Sequence, residues 1–336
     1  MKLTKKITLA LGLAIGSFSF AQTYPLSENF WTSPEFQDRV MGSYGMHTGL
    51  EPKINEEEGL LFKELLVLLD QNMELGRDRL KNAITPESSA ALSFMLGTVN
   101  LQLGDLEASV EAYKSAIKKF PNFMRAYKSA GYALAQANQY EEATKYLVKG
   151  MELGGADGTT CGLLGYSYLN LDKYGAALNA YNLAMAYEPD TIDWQLGKVR
   201  CLIYMQAYGE AQGLLEDLLL KDLDNSELWL HQANTKLAMD LAEEAATNLE
   251  IVRRMGQASL ASLTLLGDIY ENRAMHKLAF EVYSEALDRT DGIKALSKVR
   301  RLASSLVQYE EYEYANKIAE RAMSRFESEM ETDQEV

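Results

Sequence analysis

Gly97, Gly131 and Gly165 stand 34 residues apart, and the step continues through Val199, Ala233 and Gly267. A second position keeps the same step with small residues throughout: Ser109, Ala143, Ala177, Ala211, Ala245 and Ala279. Six consecutive periods in one register constrain the chain to a stack of like units. Each unit is one supersecondary element that cannot bury its apolar face alone, so neighbours must supply the core. Between the two small positions the residues follow helical spacing, and nothing alternates as a strand would.

The units carry further matching positions. The first has Leu96-Gly97, Asn100, Ser109, Tyr113, Ala116 and Pro121; the third has Leu164-Gly165, Tyr168, Ala177, Tyr181, Ala184 and Pro189. Trp229, Ala233 and Ala245 mark the fifth, and Leu266-Gly267, Tyr270, Ala279, Tyr283 and Ala286 the sixth. The fourth departs most: Trp194 sits one place early, Val199 replaces glycine and Leu223 replaces proline. Residues 90–293 therefore resemble the tetratricopeptide-repeat (TPR) family, of the secreted or periplasmic bacterial type, as six units without an insertion. The resemblance implies an all-α fold, an α-solenoid in which helix-turn-helix pairs stack into a right-handed superhelix. In that pattern the small eighth and twentieth residues let the helices approach, while tyrosines at the eleventh, seventeenth and twenty-fourth places fill volume. Tyr168, Tyr174 and Tyr181 fall among these packing places.

Poorer units flank the six. Residues 56–89 read as a degenerate capping pair, with Asn55 as N-cap, three glutamates in the first turn and an apolar LLFKELLVLL face. Residues 294–325 realign with the period if two residues are inserted, placing Ala303, Tyr312 and Ala315 at the eighth, seventeenth and twentieth places. Residues 326–336 form an acidic tail. Residues 22–55 mix turn signals with Phe30, Trp31, Phe36, Met41 and Tyr44. That apolar content predicts an irregular strap lying on the first repeats or in their groove.

Residues 1–21 read as a signal peptide: Lys2, Lys5 and Lys6, then a 14-residue apolar run, then Ser19-Phe20-Ala21. The run is shorter than the roughly 20 residues that span a bilayer. Export to the periplasm or the extracellular space is expected, with no stable membrane insertion after cleavage. The whole chain carries a net charge of -15, and loss of the three lysines takes the mature chain to -18. Such a field opposes binding along a polyanion, so nucleic acid is not an expected partner.

Little in the chain points to catalysis. His47, His231 and His276 are scattered, and no metal-binding or nucleophile-elbow motif occurs, so neither catalytic residues, metal nor cofactor are assigned. GGADG, residues 154–158, lacks the Lys-Ser/Thr of a phosphate loop and reads as a turn between units. Cys161 and Cys201 fall six places apart in successive units, about 9 Å along neighbouring helices, which puts them beyond disulfide reach as buried thiols.

Binding is what remains. In the TPR family the first helices line a concave groove, with ligand contacts from the second, fifth, ninth, twelfth and thirteenth places. Carried onto this chain, those places include Arg125, Lys128, Tyr132 and Gln136, then Tyr166 and Asn170, then Arg200 and Tyr204, then Asn234. A basic and aromatic strip on an acidic chain suits an extended peptide or protein segment. Tyr132 and Tyr166 stand at ninth places where a carboxylate clamp would need asparagine, so that specificity is not expected. The leading expectation is a non-enzymatic periplasmic scaffold. The alternative is an accessory subunit of a cell-envelope machine, such as a TonB-type energy-transducing system, docking by its convex face or ends.

Overall fold

The computed structural model describes residue 49 and residues 51–289 and 292–330. The signal peptide, most of the strap and the end of the acidic tail lie outside the described residues. Among the described residues there are sixteen α-helices, one 3-10 turn and no strand. The fold is an all-α solenoid, and within each of its compact units neighbouring helices pack in chain order.

The 34-residue step is written directly in the backbone. First helices run Ala90–Gln102 (α3), Met124–Gln136 (α5), Gly158–Asn170 (α7), Ile192–Tyr204 (α9), Ser226–Ala238 (α11) and Leu260–Asn272 (α13), each of 13 residues. Their second helices are Leu106–Lys119 (α4), Tyr140–Glu152 (α6), Tyr174–Tyr187 (α8), Tyr208–Lys221 (α10), Ala242–Arg254 (α12) and His276–Leu287 (α14). The turn between them reverses through one left-handed residue at the fifteenth place: Gly104, Asn138, Asp172, Gln206, Asp240 and Ala274, all at positive φ. The next such residue, Glu310, comes 36 positions after Ala274, and the 3-10 turn Gly292–Ala295 precedes the pair Leu296–Gln308 (α15) and Tyr312–Met330 (α16). Phe326 interrupts α16 with non-helical backbone.

The pair that precedes the repeats is Glu56–Gln71 (α1) and Met73–Ala83 (α2). Asn55 and Glu58 form a reciprocal capping box at its start. The free oxygen of Glu58 then accepts from the Ser89 backbone amide at 2.6 Å, joining this cap to the entry of α3.

The chain separates into two compact units, one ending at Met205 and the other beginning at Gln206. In the first, the core runs from Phe62, Leu65 and Leu92 through Tyr113 and Leu134 to Tyr181 and Trp194. In the second, one cluster centres on Leu249, Leu263 and Leu266 and another on Tyr283, Leu302 and Ile318. The glycine at the eighth place has a specific job here. A Cβ on Gly97 would lie 2.6 Å from the Tyr113 ring, and one on Gly267 would lie 2.7 Å from the Tyr283 ring. Helix approach and the large side chain at the twenty-fourth place are therefore one device: the missing Cβ is the seat of the ring.

Cys161 and Cys201 are both fully buried and unbridged in the first unit. Burial pushes the Cys161 thiol up and the Cys201 thiol up to about 12. Both are held in the inert, protonated form.

Candidate functional site

In the first unit α3, α5 and α7 each pack on their own second helix, α9 packs on α8, and successive first helices touch, from α3 to α5, α5 to α7 and α7 to α9. That row presents the candidate residues. Arg125, Lys128, Tyr132, Gln136, Tyr166, Arg200 and Tyr204 are half-buried, and Asn170 is exposed. Asn234, on α11, belongs to the second unit, where it is half-buried.

The two cations at the start of the row are held by acids of the chain itself. Arg125 donates to both carboxylate oxygens of Glu51, from Nε at 2.8 Å and from Nη2 at 2.6 Å. Its guanidinium lies 5.3 Å from the centre of the Phe94 ring and 5.7 Å from that of Phe123. Lys128 donates to Asp157, the residue that caps α7 by accepting from the Thr160 amide and hydroxyl. Burial alone would raise the Asp157 carboxyl, but hydrogen bonds from Lys128 and Thr160 outweigh it and hold the group below its ordinary value.

Farther along, the row is aromatic. Tyr132 accepts from the Gln136 amide at 2.6 Å. Tyr166 meets Tyr140 edge to face, ring centroids 5.7 Å apart, with the two hydroxyls 3.5 Å apart. Tyr204 stacks on Tyr174 at 4.9 Å. These pairs repeat a motif: Tyr140 and Tyr174 are both seventeenth-place residues, and each donates its hydroxyl to the left-handed turn residue two places before it, Asn138 or Asp172. Burial raises the Tyr140 hydroxyl, and the neighbouring Tyr166 adds to the effect. Burial raises Tyr204 as well, with Arg200 opposing. The Tyr140, Tyr174 and Tyr204 hydroxyls are held neutral, and the rings are suited to stacking.

The structure thus brings the candidates of the first unit into one row but changes their company. Tyr166 is packed against Tyr140, and Tyr174 shares the strip with Tyr204 in addition to filling volume. Glu51, Phe94, Asp157, Tyr140 and Tyr174 are members that the repeat positions did not nominate. Phe94 was within reach of the same reasoning, since it stands at the fifth place of the first unit. Glu51 carries no periodic signal at all.

Two family models described as tetratricopeptide repeat match the chain, over residues 94–148 and 168–234. A tetratricopeptide repeat protein of Parabacteroides merdae has a similar fold, with a TM-score of 0.55 at 16% identity over 71% of this chain and 96% of that one. PilW, described as a widely conserved type IV pilus biogenesis factor, gives 0.52 at 13% identity over 62% of this chain and 98% of that one. A 91-residue stretch is 33% identical to Protein CTR9 homolog of Arabidopsis thaliana; it makes up 27% of this chain and spans 8% of that protein. The chain carries tetratricopeptide repeats over residues 94–148 and 168–234.

Proposed function

We propose that this protein is a non-enzymatic scaffold of the cell envelope that holds an extended segment of a partner protein on the first-helix row of its first unit. Tetratricopeptide repeats are generally interaction scaffolds, which supports a protein partner. The observation that carries the reading is the Tyr140–Tyr166 and Tyr174–Tyr204 ladder, two aromatic pairs whose second-helix members stand one repeat apart. An extended chain presents side chains and backbone carbonyls with which such a ladder can stack and bond. The basic, apolar and small-residue order of residues 1–21 supports export, and no helix among the described residues is long and apolar enough to cross a membrane.

The test is capture of partners by the mature chain from its native envelope, set beside the Tyr166→Ala, Arg200→Ala double variant. Loss of the captured protein with helical content retained supports the row as the docking face; undiminished capture contradicts it. A second reading, docking by an end of the chain, draws on Leu60 and Val67, which stand two turns apart on α1 at 68% and 59% exposure. Loss of capture in Leu60→Ser, Val67→Ser with the row intact would favour that reading instead.

A further inference from the structure

Arg125 is built as a receptor for a carboxylate. Its guanidinium is backed by Phe94 and by the fully buried Phe123, whose rings lie 5.0 Å apart. Glu51 meets the fork through two parallel bonds, one to each carboxylate oxygen. The carboxylate that fills it is 7% exposed and comes from 74 positions upstream in the chain. Pro52 is buried beside it, Lys53 is exposed and Ile54 is half-buried, with no secondary structure from 52 to 55. A short irregular segment of the chain therefore already sits at the start of the row, with an acid in the fork, Pro52 buried after it and Ile54 packed against the Phe62 and Leu92 cluster.

We propose that Glu51 is an intramolecular occupant of a carboxylate site, and that an acidic extended segment of a partner displaces it to gain the Arg125 end of the row. This rests on the row being the docking face, and it adds a ligand class: a segment bearing Glu or Asp followed by apolar residues. A tethered competitor acts at an effective concentration of roughly millimolar. A free segment that binds the empty site near 0.1 mM is therefore weakened about tenfold while Glu51 is in place.

The probe is a fluorescent synthetic peptide of residues 46–55, MHTGLEPKIN, titrated into the full mature chain by anisotropy. Glu51→Gln should bind it about tenfold more tightly than the native chain. A peptide with glutamine at its own Glu51 position should bind the variant poorly, and Arg125→Gln should abolish binding in either background. Circular dichroism checks the fold of each variant. Should Glu51→Gln lose helicity, Glu51→Asp takes its place, because it shortens the reach by one methylene and breaks the two-point contact while keeping the charge. Equal affinity of the native and variant chains, or no binding to either, overturns the proposal and leaves the pair a structural tie. Partner capture with the Tyr166 and Arg200 variant reads the row independently, so failure of one idea is distinguishable from failure of the other.

Discussion

Tyr204 lies face to face with Tyr174, ring centroids 4.9 Å apart and planes within 10° of parallel. The pair joins the first residue of one second helix to the last residue of the next first helix, whereas Tyr140, also first in its second helix, meets Tyr166 edge-on, four residues before the end of the next first helix. A double-mutant cycle with Tyr174→Leu and Tyr204→Leu should return a coupling of about 0.5 to 1.5 kcal/mol in urea unfolding. Additive effects would show that the rings touch without contributing as a pair.

The eighth-place glycines give a sharper contrast. Gly97→Leu drives a side chain into the Tyr113 ring and should cost about 1 to 3 kcal/mol. Gly213, in the middle of α10, has nothing within 4 Å of where a Cβ would stand. Gly213→Ala should therefore raise stability by about 0.5 to 1 kcal/mol through helix propensity. Thermal unfolding of the two variants should move in opposite directions.

Asp157 closes the turn between α6 and α7 and binds Lys128. Asp157→Ala should lose about 0.5 to 2 kcal/mol at neutral pH as the cap disappears. The carboxyl lies below its ordinary value in the fold, so its contribution is complete above that value, 3.8, and is lost as the pH falls through the lower one. Stability curves of the native chain and the variant should stay apart at neutral pH and converge only in acid.

Cys161 and Cys201 should resist a thiol reagent in the native state and react fully once the chain is unfolded, since both are buried with raised thiols. Prompt labelling of either at neutral pH would contradict their burial.

The fold was legible because one number governs it. Gly97, Gly131, Gly165 and Gly267 mark the eighth place, and counting from them reaches the helix starts at Ala90, Met124, Gly158 and Leu260. The left-handed turn at the fifteenth place was less legible: Gly104, Asn138, Asp172 and Asp240 are types that favour positive φ, but Gln206 and Ala274 are not. The candidate row could be counted out in the same way, but its contacts could not. Tyr140 meets Tyr166 across 26 positions and Tyr174 meets Tyr204 across 30, separations that are not multiples of the repeat. Glu51 lies before the first period, and only the folded chain brings it to Arg125.

The central claim is that a partner lies on the first-helix row of the first unit. A photo-crosslinking amino acid placed at Tyr166, on that row, and in a separate chain at Leu183, exposed on the second helix α8, measures this in the cells that make the protein. The expected result is a defined crosslinked product from position 166 and none from position 183. A product from position 183 alone would contradict the claim and move the interface to the second-helix face.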